Sequence, residues 1–127
     1  MAIIFDKNKP IYQQLVDHLR NQIANGELAP GAKVPSVRDM ALEYQVNPNT
    51  MQKALAKLEE AGYMYTERTS GRYVTEDLSV INSLQATLLQ IITVEYVQDM
   101  SDTGMATKDI PVYVQCYINA KKGENND

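Results

Sequence analysis

The sequence predicts a mainly helical α+β protein, in which three helices and a β-hairpin form an N-terminal domain and two more helices form an extension. Residues 33–62 contain two short apolar repeats at helical spacing, separated by a two-residue break. Residues 63–75 alternate in the manner of β-strands, and helical spacing returns after residue 77. These changes of period divide the chain into a first domain, residues 1–76, and an extension, residues 77–127.

The two apolar repeats predict two short helices. Ser36 can cap the first helix, and Asp39 follows three residues later, as in a capping box. Asn47 can cap the second, with Pro48 in its first position and Gly62 at its end. The apolar positions are Val37, Met40, Ala41 and Tyr44 in the first helix and Met51, Ala54, Leu55 and Leu58 in the second. Because the break between them allows only a turn, the two helices should pack steeply, as a helix-turn-helix.

Polar side chains cover the N-terminal half of the second helix of this motif. They are Asn47, Asn49, Thr50, Gln52 and Lys53. Such groups can hydrogen bond to base edges and phosphates, whereas Glu59 and Glu60 at the other end would be repelled by phosphates. Only the N-terminal end can therefore enter a DNA groove. On the helix alone, an ordinary solvated surface explains these residues equally well.

The segments on either side of the motif complete a small domain. Before it, a helix should begin at Pro10 and end at Gly26. Its apolar face consists of Ile11, Leu15, Leu19 and Ile23. After the motif, two β-type runs surround a turn of small residues at 69–72, with Arg68 and Arg72 placing positive charge at the tip. A hairpin that follows a helix-turn-helix forms a winged helix, whose tip can reach a neighbouring phosphate or the minor groove.

The composition is that of a globular protein with an uneven distribution of charge. Hydrophobic residues make up 44% and charged residues 22% of the 127 residues, and the net charge is −4. Residues 1–75 carry nine basic and eight acidic side chains, whereas residues 76–127 carry three basic and eight acidic ones. The acidic excess therefore lies away from the predicted DNA-facing surface, which agrees with a nucleic-acid partner.

Other classes of protein are disfavoured. We expect no membrane span, because no apolar stretch is judged long enough, and a single cysteine agrees with a reducing cytoplasm. His18, the only histidine, has no cysteine or acidic cluster around it, and the sequence shows no metal-ligand spacing or phosphate-binding glycine loop. We therefore expect a cytoplasmic protein that is not an enzyme and needs no metal or cofactor.

Residues 10–75 resemble the DNA-binding domain of GntR-family bacterial transcription regulators over nearly its whole length. The shared features include the G-x-L-x-P-G turn at 26–31, the P-S-x-R-x-x-A segment at 35–41 and the V-N-x-N-T turn at 46–50. The chain departs from the family pattern at Gln52, where a basic residue is common, and in the wing, which loses a glycine and gains Arg72. The resemblance implies that Arg38 contacts a phosphate or base and that Ser70 and Gly71 form the wing tip. The predicted DNA-binding residues are Ser36, Arg38, Asn47, Asn49, Thr50, Gln52, Lys53, Arg68, Ser70, Gly71 and Arg72.

The extension should contain two helices. Residues 78–100 predict a long helix, and a second one should begin with Thr107 as its cap and Pro111 in its first turn. The polar tail at 121–127 is expected to fray. An extension this short is too small for the large effector domains of other GntR members and is similar to the YtrA subfamily, which is often linked to transporter operons.

Two helices of this size cannot bury a core alone, so their apolar faces require a partner. A second copy of the chain is the most economical partner, and two-fold symmetry would place two recognition helices on successive turns of the major groove. The predicted dimer residues are Leu84, Leu88, Ile91, Ile92, Val112 and Cys116. Alternatively, a pocket for an unidentified small-molecule effector would be lined by Cys116, Tyr96, Tyr113 and Tyr117.

The resemblance implies a sequence-specific transcription regulator that binds a palindromic operator in double-stranded DNA as a homodimer. It also implies a repressor, with a transporter operon as one target. The competing function is a winged-helix protein-interaction module that does not bind DNA specifically. The basic residues of the predicted surface argue against that alternative, because they would have no evident role on a protein partner.

Overall fold

The structure of the protein, a computed structural model, describes residues 3–125. This described part forms five α-helices, two β-strands and one 3-10 turn. In chain order they are α1 (Ile11–Ala24), α2 (Val37–Tyr44), α3 (Pro48–Glu60), β1 (Met64–Glu67), β2 (Gly71–Val74), α4 (Leu78–Asp102), the 3-10 turn Thr107–Asp109 and α5 (Ile110–Asn125). The chain divides into two compact units, Met1–Ala86 and Thr87–Asp127, and the division falls within α4.

The first unit has a hydrophobic core built from the apolar faces of α1, α2 and α3. The buried apolar residues of these helices are Leu15, Val16, Leu19, Ile23, Met40, Ala41, Tyr44, Met51, Ala54, Leu55 and Leu58. Each fully buried large side chain contributes about 1.5–3 kcal/mol, so these faces determine how the helices pack. The predicted faces are confirmed except at Ile11, which is exposed, and Val37, which is half-buried.

The turn between α2 and α3 is closed by Gln45 in a left-handed conformation. Its φ is 56°, a region that glycine adopts far more readily than other residues. The amide of Val46 donates to the carbonyl of Ala41 at 3.0 Å, and the amide of Gln45 donates to that of Leu42 at 3.3 Å. This is the Schellman pattern of a helix C-terminus. It ends α2 sharply and sets the direction in which α3 leaves.

The wing, which consists of β1, β2 and the turn 68–70, is tied to the segment before α2. The two strands pair antiparallel, with Thr66 opposite Arg72. The amide of Val34 donates to the carbonyl of Arg72 at 2.8 Å, and the amide of Val74 donates to that of Ala32 at 2.9 Å. The predicted extended segment before Pro35 therefore lies along β2 and is joined to it by an isolated β-bridge between Lys33 and Tyr73. This pairing fixes the wing relative to the start of α2.

The first turns of α4 belong to the first unit. The carboxylate of Asp77 accepts hydrogen bonds from the amide and hydroxyl of Ser79 at 3.0 and 2.6 Å, which cap the helix and lower the pKa of Asp77. Ile81 and Leu84 follow and are buried. The burial of Leu84 corrects the expectation that it lies on a dimer surface, because it already belongs to the core of its own chain.

In the second unit, α5 and the rest of α4 leave most of their apolar side chains exposed. Ile110 is buried and Leu88 is half-buried. The exposed large apolar residues of this unit are Leu89, Ile91, Ile92, Val94, Tyr96, Val112, Tyr113, Tyr117 and Ile118. The two helices therefore do not cover each other's apolar faces within one chain, and a surface of this kind is typical of a protein interface.

Two expectations about α5 are wrong. Thr107 does not cap the helix: it begins the 3-10 turn, and Ala106 before it forms no side-chain cap. The polar tail predicted to fray at 121–127 instead continues α5 as far as Asn125, and residues 126 and 127 lie outside the described part. Pro111 does lie in the first turn of α5, where its missing N–H has no intrahelical acceptor to satisfy.

α4 also corrects the expectation that no apolar stretch is long enough to cross a membrane. Among the described residues, this helix of 25 residues meets the length, and an 18-residue window within it has a mean hydropathy of 1.2. Only 11% of that window is buried. One such helix is weak evidence for a membrane span, because a long helix that packs against a protein partner has the same composition.

Candidate nucleic-acid interface

The face of α3 opposite the core presents its polar side chains to solvent. Met51, Ala54 and Leu55 are buried, and this fixes the rotation of the helix about its axis. As a result Asn49, Gln52 and Lys53 are exposed and Thr50 is half-buried. These side chains occupy the N-terminal half of α3, as the sequence predicts, and can donate and accept hydrogen bonds at base edges.

Two of the predicted DNA-binding residues are also helix caps. The Ser36 hydroxyl accepts a hydrogen bond from the amide of Asp39 at 3.1 Å, and Asn47 Oδ1 accepts one from the amide of Asn49 at 2.7 Å. Each cap uses an oxygen acceptor, so the hydroxyl hydrogen of Ser36 and the NH₂ group of Asn47 remain to donate. DNA phosphates are acceptors, and both residues therefore keep the group that such a contact needs.

A cavity of about 400 Å³ lies between the start of α2, the exposed face of α3 and the wing. It brings together five residues that the sequence analysis predicted separately, Ser36, Gln52, Ser70, Gly71 and Arg72. The pairing of the wing with the segment before α2 explains why residues so far apart in sequence share one cleft.

Lys33 lines the same cleft and was missed in the sequence. It is bridged to Tyr73 of β2, and its Cε would lie 3.3 Å from a Cβ at Gly71, where φ is 123°. The glycine therefore leaves room for the lysine to extend over the strand. In the sequence, Lys33 is recognisable only as a basic residue just before Val34-Pro35, because its place beside β2 depends on strand pairing.

The predicted basic residues differ in what they already contact. Arg38 and Arg68 are exposed, and neither forms an ion pair with any other residue in 3–125. The ammonium of Lys53 lies 3.8 Å from the centre of the Tyr12 ring. This cation–π contact restrains Lys53 on the outer side of α3 and leaves it exposed. All three cations are therefore exposed: Lys53 lies on α3 itself, Arg38 on α2 and Arg68 in the turn of the wing.

Arg72 corrects one prediction, because it does not lie at the wing tip. It is within β2, only 17% of its side chain is exposed, and its Nε donates to Glu59 Oε1 at 3.2 Å. The turn itself consists of residues 68–70, where the Tyr73 hydroxyl donates to Ser70 Oγ at 2.9 Å. The positive charge at the tip is therefore that of Arg68.

The C-terminal end of α3 is acidic, which supports entry into a groove by the other end. Glu60 is exposed, with Lys57 Nζ 3.9 Å away, and Glu59 accepts a hydrogen bond from the Thr66 hydroxyl in addition to that from Arg72. The Thr66 bond, followed by Arg72, holds the pKa of Glu59 below its usual value although partial burial opposes this. Glu59 therefore remains an anion at neutral pH.

Comparison with known proteins agrees with this surface. Residues 11–74 match the family of bacterial regulatory proteins known as the gntR family. The chain is 33% identical over 106 residues to the HTH-type transcriptional regulator YhcF of Bacillus subtilis (strain 168), covering 84% of this chain and 88% of YhcF. It is 28% identical over 120 residues to the HTH-type transcriptional repressor YtrA of the same organism, covering 93% of this chain and 92% of YtrA.

Solved structures share the fold. A GntR family transcriptional regulator from Listeria monocytogenes has a TM-score of 0.82 and 38% identity, covering 87% of this chain and 97% of that protein. The DNA-binding domain of AraR, solved in complex with operator ORX1, has a TM-score of 0.53 over 59% of this chain and 95% of that domain, at 22% identity. The chain therefore belongs to the GntR family of bacterial regulatory proteins, in its YtrA-like subfamily, and is a DNA-binding transcription regulator with a winged helix-turn-helix.

Proposed function

We propose that the protein binds a palindromic operator in duplex DNA as a homodimer and represses transcription there. The observation that carries this proposal is the exposed polar face at the N-terminal half of α3, together with exposed Arg38 and Arg68, which have no acidic partner within residues 3–125. In the proposed complex Asn49 and Gln52 read base edges in the major groove, while Arg38 and Arg68 contact phosphates.

The wing adds a second contact to the DNA. The cleft between the wing and the start of α2 is lined by Lys33, Ser36 and Ser70, whose side chains can all donate hydrogen bonds. A phosphate of the strand that borders the major groove would lie in this cleft, and Arg68 at the wing tip would reach the next phosphate or the minor groove.

The dimer forms through the second unit. The apolar side chains of α4 and α5 there are largely exposed, with Ile92 and Val112 at 61% and 63% and Ile91 at 48%. Leu88 and Cys116 lie on the same two helices and complete the proposed interface. A two-fold axis through this interface would hold two winged helices at the spacing of two half-sites.

Repression is proposed from the resemblance to YtrA, which is itself a transcriptional repressor. The cytoplasm as its location and a transporter operon as its target remain proposals that rest on the features of the sequence. The exposed aromatic side chains of Tyr96, Tyr113 and Tyr117 lie on the helices of the proposed interface. An effector bound there would act by favouring one arrangement of the two subunits and so one spacing of the recognition helices.

The test is a gel shift with a duplex that carries the promoter region of the protein's own gene, repeated over a range of salt concentrations. We expect specific binding whose affinity falls steeply as salt rises, because phosphate contacts from two subunits release counterions. A scrambled duplex of equal length provides the control for specificity. Equal binding to both duplexes, or binding that does not depend on salt, would contradict the proposed interface.

A further inference from the structure

One carboxylate oxygen at the end of α3 joins the recognition helix to both strands of the wing. Glu59 Oε1 accepts hydrogen bonds from the hydroxyl of Thr66 in β1, at 2.5 Å, and from Nε of Arg72 in β2, at 3.2 Å. Thr66 and Arg72 are direct partners across the hairpin. The last turn of α3 therefore contacts the wing at one cross-strand pair, Thr66 and Arg72.

The surroundings make this contact stronger than an ordinary surface ion pair. The side chain of Arg72 is 17% exposed and that of Glu59 is 39% exposed, so water screens the pair only in part. The lowered pKa of Glu59 agrees with a carboxylate that is stabilised as an anion. By contrast Glu60, the next residue, is 76% exposed, and the ion pair that it forms with Lys57 stays within α3.

The wing is anchored at its base, where Met64 of β1 and Val74 of β2 are buried, and Glu59 holds it nearer the tip. Its two strands have four residues each, and a two-stranded hairpin is only marginally stable without further packing. Its pairing with the segment before α2 restrains one edge. The contact with Glu59 restrains the face that is turned toward the recognition helix.

We propose that Glu59 is a positioning residue for DNA recognition, which holds the wing at the angle at which its tip meets the DNA, and that Arg72, although it lines the cleft, acts through Glu59 and does not contact DNA. This inference rests on the proposed DNA-binding surface. It assigns a favourable role to an acidic residue on a helix that binds a polyanion, where charge alone predicts an unfavourable one.

The experiment compares Glu59→Ala with Glu60→Ala, two variants that remove the same charge from adjacent positions of one helix. Binding to the duplex that carries the protein's own promoter region is measured by fluorescence anisotropy. Because Glu59→Ala releases the wing, we expect it to bind about tenfold more weakly than the wild type. Glu60→Ala should bind as tightly as the wild type or more tightly, since it only removes a repulsive charge. If both variants bind more tightly, Glu59 acts only as a charge and the proposal is wrong.

A conservative variant separates position from charge. Glu59→Gln loses the charge but keeps a carbonyl oxygen that can accept from Thr66 and Arg72. We expect it to recover most of the affinity that Glu59→Ala loses. The melting temperature of each variant is recorded beside its affinity, and Thr66→Val, which removes one donor to Glu59 without any change of charge, should also weaken binding. Equal weakening in the alanine and glutamine variants would overturn the positioning role.

The role of Arg72 is tested by combining variants. If it acts through Glu59, Arg72→Gln should weaken binding in the wild type but add little in the Glu59→Ala background. The same loss in both backgrounds would show that Arg72 contacts DNA directly. Hydroxyl-radical footprints of Glu59→Ala should show that protection of the DNA is lost only at the position of the wing tip.

The proposed function has a separate test. If the wild type fails to bind its promoter specifically, the proposed function is wrong, whereas the results described for Glu59 and Arg72 bear only on the positioning role.

Discussion

Lys33 and Arg38 are the side chains whose removal should cost affinity without regard to sequence. Both are exposed, and neither has an acidic partner within residues 3–125. We expect Lys33→Ala and Arg38→Ala each to weaken binding to specific and scrambled duplexes alike. Each should reduce the slope of log affinity against log salt by about 1, as for one phosphate contact. Gel shifts at several salt concentrations measure both effects.

The matched control is Lys57→Ala, which removes the same charge from the acidic end of α3, where Lys57 faces Glu60. This variant should leave the salt dependence unchanged. An effect of Lys57→Ala as large as that of Lys33→Ala would mean that overall charge, and not the cleft, governs binding.

Gln52 should determine sequence preference, because it is exposed on α3 and lines the cleft. A glutamine amide can form two hydrogen bonds with adenine, and losing such a pair costs about 1–3 kcal/mol of discrimination. We expect Gln52→Ala to lower affinity for the operator while leaving affinity for a scrambled duplex nearly unchanged. Competition gel shifts measure the ratio, and an equal loss on both duplexes would assign Gln52 to the phosphates.

Gln45 is a position at which the stability of the protein can be raised. Its left-handed φ of 56° costs a residue with a Cβ about 1 kcal/mol relative to glycine. Gln45→Gly should therefore shift the urea midpoint upward without changing the m-value. Gly62→Ala is the converse: its φ is 90° with open space around the site, so it should lower stability through backbone strain alone. A midpoint that falls in Gln45→Gly would refute this account.

At the residue scale, local geometry was predictable and pairing was not. Ser36 and Asn47 cap their helices as the sequence predicted, since capping depends on a few adjacent residues. The predicted position of Arg72 at the wing tip is wrong, because its contact with Glu59 depends on the register of the hairpin and on the packing of α3 on β1. Neither follows from local sequence patterns.

The contact between α3 and the wing should respond to pH. The pKa of Glu59 is lowered in the folded protein from an ordinary value of 4.5. The stability that the carboxylate contributes is therefore complete above its unfolded pKa and is lost as the pH falls through the lower, folded value. We expect the stability advantage of the wild type over Glu59→Gln to shrink as the pH falls below about 4.5. Urea titrations at several pH values measure the difference.

Glu60→Gln serves as the control for this titration, because Glu60 does not touch the wing in the described structure. The difference between that variant and the wild type should change much less over the same range. A constant difference for Glu59→Gln would show that the carboxylate contributes nothing beyond its neutral form.

The winged helix could be predicted element by element because each of its elements has a distinct period and clear end signals. The extension could not be predicted as well. α4 is apolar on several sides, so its pattern did not reveal that Leu84 belongs to the first unit or that the helix has the length and hydropathy of a membrane span. Thr107 begins a 3-10 turn, whose sequence signature resembles that of an α-helix cap.

For the molecule as a whole, the boundary of the first unit determines which truncation folds. A chain that ends after Ala86 keeps Ile81 and Leu84 in the core of the first unit. We expect it to fold and to be monomeric in sedimentation. It should bind its operator on the order of a hundredfold more weakly than the full chain, because two winged helices that are no longer linked lose the gain in effective concentration. A truncated chain that remains dimeric would place the interface in the winged helix.

A chain that ends after Glu76 is the informative comparison. It lacks both core side chains of α4, and each large side chain lost from a core costs about 2–5 kcal/mol. This shorter chain should therefore unfold at a lower urea concentration than the one that ends after Ala86. Equal midpoints would mean that the start of α4 adds nothing to the first unit.

The uncovered apolar faces of α4 and α5 also affect how quickly regulation begins. In the proposed dimer, a newly synthesised chain can complete its winged helix alone but must meet a second copy to cover these faces. Assembly of the operator-binding form is then second order in protein, and doubling the amount of chain quadruples the initial rate. A small pulse of expression would leave the promoter unrepressed, whereas sustained synthesis would repress it. Because α4 and α5 have no partner within one chain, repression would therefore begin only after a delay.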